Sequence, residues 1–292
     1  MGAASPLLLR AARVVPLSPA PLPSSMSWGP KQLAKRVLRS IPRKGDAELS
    51  RLQNAPRYTP METTLLGPTL KTPDGPSFRS AYRSIFEHRI YEFATTEASP
   101  LIIDGGANIG LSVIFFRSLY PNCRVIAFEP DPELASYCRG NIDAMGYEGV
   151  DLRECALWSS NTTLMFHREG ADGGSLANAA LERQGTVSVP TQRLRDVLSE
   201  ASSRVALLKL DIEGAETEVL RDCRDALGHV DRVFVEYHSF ADREQTCDEI
   251  LAILRHAGFR FQAIPENHAP RPFLERPVMG GMDFQMNIFA YR

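Results

Sequence analysis

From residue 100 onward, short apolar runs alternate with longer amphipathic stretches, and this alternation restricts the available folds more than any other feature of the chain. "LIID" at 101–104, "RVIAFE" at 124–129, "VDLRECAL" at 150–157, "VALLKLD" at 205–211, "RVFVEY" at 232–237 and "FRFQAI" at 259–264 read as strands, and "DFQMNIFAYR" as a last one. Residues 109–119, 131–144, 215–223 and 243–257 read as the helices between them. The pattern predicts an α/β fold: a mostly parallel sheet with helices on both faces. Right-handed crossovers then align the strands' carboxyl ends along one edge. Ligands bind at that edge where the strand order reverses.

The rhythm breaks over 158–200, where "TTLMFH" and "TVSVPTQRL" read as strands around a glycine-rich loop, "EGADGGSL". This reads as an insertion beside the ligand edge. Upstream, residues 63–78 predict two short strands around a Pro73-Asp74-Gly75 turn. Residues 78–93 predict a core-facing helix carrying Phe78, Tyr82, Ile85, Phe86 and Ile90. A basic helix is expected over 31–52. The expected organisation is therefore a leader at 1–45, a hairpin and helix at 46–99 packing on the core, and a domain at 100–292.

Charge narrows the function. Residues 1–45 hold eight Lys or Arg and no acid, whereas the remainder holds 25 basic and 35 acidic residues, a net of −10. An acidic body is a poor partner for nucleic acid. No apolar run approaches the ~18 residues of a membrane span. The Pro-rich leader reads as a disordered tail, or alternatively as an organelle transit segment. Five widely spaced cysteines without a CxxC pair point to reduced thiols and a cytoplasmic setting.

The turn after the first strand, "DGGANIG" at 104–110, discriminates between ligands. A P-loop would need lysine where Leu111 stands, and a dinucleotide loop would need glycine where Ala107 stands. Asp104 at the turn opposes phosphate and favours a cation. S-adenosylmethionine carries positive charge and no phosphate. An acid followed by spaced glycines suits it, with Asp104, Gly106 and Gly110 in place and Asn108 tolerating unusual backbone angles. Glu129, ending the second strand, can accept both ribose hydroxyls. A dinucleotide-dependent oxidoreductase would also place an acid there, so Glu129 indicates adenosine without naming the cofactor.

Together, "IIDGGANIGLSVIFF", "VIAFEPDP", "LLKLDIEGAETEVL" and "VFVEYHSF" resemble the FkbM family of S-adenosylmethionine-dependent methyltransferases over roughly residues 76–265. The resemblance implies a Rossmann-like class I methyltransferase fold, with a seven-stranded sheet whose last strand is antiparallel. It implies that Asp104, Gly106, Asn108, Gly110 and Glu129 hold the cofactor, with Cys155 and Ala156 against the adenine. The acceptor it implies is a hydroxyl on a small molecule or glycan.

Methyl transfer mainly requires orientation, with a general base helping a hydroxyl nucleophile. Asp211, Glu236 and His238, at the ends of the fourth and fifth strands, are the candidate catalytic residues. Asp211 reads equally well as a helix cap, and Glu213 is expected to cap the helix that follows. Lys209, inside a buried strand, is expected to pair with a carboxylate, Glu236 being the candidate. Asp211 and Glu236 lack a third partner, so no metal is expected. A non-catalytic S-adenosylmethionine-binding module remains the alternative to an enzyme.

Overall fold

The computed structural model describes residues 45–168, 175–176, 186–267 and 269–292. The leader, most of the helix expected over 31–52 and most of the loop after His167 lie outside the described residues.

The N-terminal segment supplies α1 (Asp46–Gln53), a hairpin of β1 (Met61–Thr63) and β2 (Leu70–Thr72), and α2 (Gly75–Tyr82), which continues as a π-helical turn at Arg83–Glu87. The hairpin turn falls at 64–69, where Gly67 N–H donates to Thr64 O. Pro73-Asp74-Gly75, expected as that turn, instead starts α2. The Asp74 side chain accepts the Ser77 N–H, and a proline occupies the first helical turn, a combination that favours helix initiation. The helix therefore begins earlier and ends earlier than the apolar spacing suggested.

Then follow β3 (Leu101–Gly105), α3 (Leu111–Leu119), β4 (Arg124–Phe128), α4 (Pro132–Ala144) and β5 (Val150–Arg153). The single strand expected over 150–157 is two. A tight turn, in which Cys155 N–H donates to Arg153 O, ends β5 and sends β6 (Ala156–Trp158) out of the main sheet. There β6 joins β7 (Thr163–His167), β8 (Ser175–Leu176) and β9 (Thr186–Arg193) in a four-stranded sheet ordered β6-β9-β7-β8. The chain continues as α5 (Leu194–Glu200), β10 (Val205–Leu210), α6 (Glu216–Cys223), β11 (Arg232–Phe240), α7 (Cys247–His256), β12 (Arg260–Asn267) and β13 (Met282–Tyr291).

The main sheet has seven strands in the order β12-β13-β11-β10-β3-β4-β5. Strands β11, β10, β3, β4 and β5 pair in parallel, whereas β13 runs antiparallel between β11 and β12. The architecture is the Rossmann-like α/β fold expected from the sequence. Strand order reverses between β3 and β10. Both are buried over their full length, as central parallel strands require.

Side-chain alternation divides the interior into two cores. Leu101 and Ile103 pack toward α5, α6 and α7, and Ile102 packs on the other face with Phe115, Phe116 and α2. Phe86 meets Phe115 edge-on at 5.4 Å between ring centroids, so the N-terminal segment shares this second core. Among the described residues, no helix is long and apolar enough to cross a membrane.

Candidate active site

A cavity of about 570 Å³ opens over the carboxyl ends of β3 and β10, where the strand order reverses. Its volume is that of a typical small-molecule pocket. The turn after β3 forms one wall. Gly106 (φ 80°), Asn108 (φ 49°) and Gly110 (φ 90°) are all left-handed. At Gly106 a Cβ would sit 1.9 Å from the Asp211 carbonyl oxygen, so only glycine fits there. The Gly106 and Ala107 N–H groups donate to Phe128 O, fastening the turn to the end of β4.

Glu129 lies beside this turn, 4% exposed. Its carboxylate accepts the Asn108 N–H at 2.7 Å and the Asp131 N–H at 3.0 Å. Burial pushes its pKa up to about 7, against the lowering effect of those two amides. Gly106, Asn108, Glu129, Cys155 and Ala156 all line the cavity.

Asp104 does not line it. Its side chain is fully buried. It accepts the Ser112 hydroxyl at 2.5 Å and faces Lys209 Nζ at 3.1 Å. The expected placement of Asp104 at the turn's mouth is therefore corrected: the lysine beneath neutralises it. Lys209 pairs with Asp104 and, at 3.4 Å, with Asp211 rather than with Glu236. It also donates to the carbonyls of Gly105 and Gly106 at 3.1 and 2.8 Å. Burial works against the Lys209 charge, but the neighbouring carboxylates outweigh it and raise the pKa. Gly110 also lies off the cavity. It is the N-cap of α3, packed against Cys138.

The opposite wall carries Asp211, Glu213, Glu236 and His238, which all line the cavity. Glu213 is not the cap of α6. The N-cap is Ala215, with no side-chain cap, and the Glu216 carboxylate instead braces the preceding loop by accepting the Ile212 and Gly214 N–H groups at 3.1 Å. Glu213 adopts φ 54° and places Oε2 3.7 Å from His238 Nε2. Nor is Asp211 a cap; its carboxylate meets Lys209. His238 is 4% exposed, its Nδ1 3.1 Å from Glu216 Oε1. Burial alone would favour the neutral ring, but Glu213 and Glu216 raise its pKa well above the usual value. Glu236 accepts the Gln285 amide, and burial together with Asp211 pushes its pKa up to about 8.

The chain has relatives among known proteins. The methyltransferase FkbM domain matches residues 104–261, more than half of the chain. The chain belongs to the FkbM methyltransferase family. It is 33% identical over 174 residues to methyltransferase sdnD of Sordaria araneosa, covering 48% of this chain and 66% of that protein. It is 31% identical to 2-O-methyltransferase NoeI of Sinorhizobium fredii (54% and 72% covered) and 31% identical to 31-O-demethyl-FK506 methyltransferase FkbM of Streptomyces tacrolimicus (61% and 80% covered). Among solved structures there is a distant likeness to M. jannaschii TYW2 in complex with AdoMet, at 13% identity and a TM-score of 0.43, over 81% of this chain and 87% of that one.

In this FkbM-type methyltransferase, three cavity features escape the sequence reading. Glu213 points inward instead of capping a helix. Glu216 anchors His238, a pairing 22 residues apart that no local motif reveals. Tyr91, 5% exposed, lies with its ring centroid 5.6 Å from Lys209 Nζ and lines the cavity from the N-terminal segment.

Proposed function

We propose that this methyltransferase transfers the methyl group of S-adenosylmethionine to a hydroxyl oxygen of a small molecule or glycan. One observation carries the reading: a single cavity joins the glycine turn and Glu129 at one end to Asp211, Glu236 and His238 at the other. The donor set suits the cofactor. Glu129 offers a carboxylate to the ribose hydroxyls, and the absence of a Cβ at Gly106 lets the turn pack against the Asp211 carbonyl. Cys155 and Ala156 add a mostly apolar patch for the adenine. The abundance of carboxylates favours a sulfonium and ammonium over a pyrophosphate, which weighs against a dinucleotide.

Bound S-adenosylmethionine supplies an electrophilic methyl carbon and leaves as a neutral thioether. The protein's part is to hold the acceptor oxygen in line with that carbon and to exclude water. Orientation of this kind can lower a barrier by about 7–11 kcal/mol. Asp211 and Glu236 present oxygens that can take the hydroxyl proton. His238, fixed by Glu216, positions the carboxylates beside it. The oxygen acceptor draws support from the relatives named as O-methyltransferases. A further relative named hexuronic acid methyltransferase AglP supports a sugar.

Calorimetry with S-adenosylmethionine and with NADH tests the cofactor; binding of NADH alone would overturn the reading. Turnover of labelled S-adenosylmethionine over a panel of sugars and small alcohols tests the reaction. Binding without transfer to any acceptor would favour a non-catalytic module. Asp211→Asn is expected to slow transfer more than it weakens cofactor binding.

A further inference from the structure

Asp211, Glu213 and His238 each present a ligand atom, and the three atoms lie within 4.8 Å of one another. Bonds of about 2.1 Å place ligand atoms roughly 3–4 Å apart around a divalent ion, so a small contraction would close this set on a metal.

The imidazole is oriented as a ligand would be. The Glu216 Oε1, in a side chain 1% exposed, already accepts two backbone N–H groups, so the Nδ1–H of His238 is the donor between them. A carboxylate on one ring nitrogen, leaving the other for a metal, is the usual outer support of a metal-bound histidine. Nε2 then faces Glu213 Oε2 at 3.7 Å and Glu236 Oε1 at 3.9 Å, with the Gln285 amide nitrogen at 3.4 Å. Both carboxylate distances exceed a hydrogen bond. Two carboxylates gathered around a ring nitrogen at this range leave room for a cation between them.

An independent observation lies two residues along the neighbouring strand. Asn287 is 5% exposed, sits in register with Glu236 across the sheet and lines the same cavity. Its Nδ2 donates to Glu266, but among the described residues its Oδ1 receives no hydrogen bond. A buried acceptor without a partner requires a donor, which a metal-bound water or acceptor hydroxyl would supply.

We infer that Asp211, Glu213 and His238 hold a divalent metal ion. Two carboxylates and one imidazole suit an ion of the manganese class. On the methyltransferase reading above, the acceptor hydroxyl would join the ion as a further ligand. Glu236 would then be left as the carboxylate nearest its proton.

The test is uptake of Mn²⁺ by the full chain after chelator treatment, read from the loss of the free-ion electron paramagnetic resonance signal. The expected result is saturable uptake of one ion per chain. Glu213→Gln, which preserves side-chain shape, should weaken it by about tenfold or more. Far-ultraviolet circular dichroism of the variant establishes that it is folded. Absence of uptake by folded wild-type protein would overturn the inference, as would equal uptake by Glu213→Gln. Calorimetry with S-adenosylmethionine on the metal-stripped protein separates the two readings. Cofactor binding without Mn²⁺ uptake removes only the metal, whereas Mn²⁺ uptake without cofactor binding removes the methyltransferase reading and keeps the metal site.

Discussion

Replacing Lys209 with Met removes the positive charge beneath the glycine turn while leaving the volume nearly unchanged. Lys209 is 2% exposed and Asp104 fully buried, so the substitution strands a carboxylate that water cannot reach. Removing one partner of a buried pair costs about 3–5 kcal/mol, a large share of the ~5–15 kcal/mol that holds a domain together. The turn loosens as well, because Lys209 Nζ bonds the carbonyls of Gly105 and Gly106. Asp104 can escape only by taking up a proton. Burial already raises its pKa, against the lowering effect of Lys209. With the lysine gone that shift grows, and an acid with a raised folded pKa loses stability as pH rises. The deficit of Lys209→Met should therefore widen from acid to alkaline pH. Urea midpoints of Lys209→Met, Asp104→Asn and the double variant measure the effect. The double variant should recover much of the loss, giving a coupling above ~1 kcal/mol. A cost below ~1 kcal/mol for Lys209→Met, or additivity within ~0.5 kcal/mol, would refute the pairing as the anchor of the turn.

Three other outcomes follow from the geometry. Glu129→Gln should weaken S-adenosylmethionine binding about tenfold or more in calorimetry, since hydrogen bonds to a charged acceptor contribute about 1.5–3 kcal/mol. Because Glu129 titrates near 7 in the free protein, wild-type affinity should fall as pH drops below 7, while this group's share of the free protein's stability, present below its ordinary pKa, is lost as pH rises through 7. Gly106→Ala meets both a left-handed backbone, costing about 1–2 kcal/mol, and the Asp211 carbonyl, so thermal unfolding should shift down and cofactor binding should disappear. Asp74→Ala should cost about 2 kcal/mol in denaturant unfolding, because the carboxylate caps α2 and also accepts the Tyr58 N–H at 2.7 Å.

The fold and the glycine-turn wall of the cavity were largely legible in the sequence, because both depend on local chemistry. Burial of β3 and β10 on both faces follows from the apolar runs themselves. The left-handed turn follows from glycines at fixed spacing, and Glu129 from its place at a strand end. The boundaries that shifted did so where local signals compete. Pro73-Asp74-Gly75 can be a hairpin turn or a helix start, and the packing of α2 on the core selects the second. Cys155 looks like strand until a turn of the chain moves Ala156 to another sheet.

The opposite wall was different. The sequence names Asp211, Glu236 and His238, but not what each side chain faces. Lys209 chooses Asp104 over Glu236 because neighbouring parallel strands set Lys209 in register with Asp104. Glu213 caps no helix and faces His238 instead, whose other ring nitrogen meets Glu216. These are contacts between residues 22 to 105 positions apart. Such pairings are decided by how strands and helices stack, not by propensity or spacing. The sequence by itself thus determined an α/β sheet with a glycine turn at its switch point. Only the tertiary structure decided which buried charges neutralise one another and which remain facing the cavity.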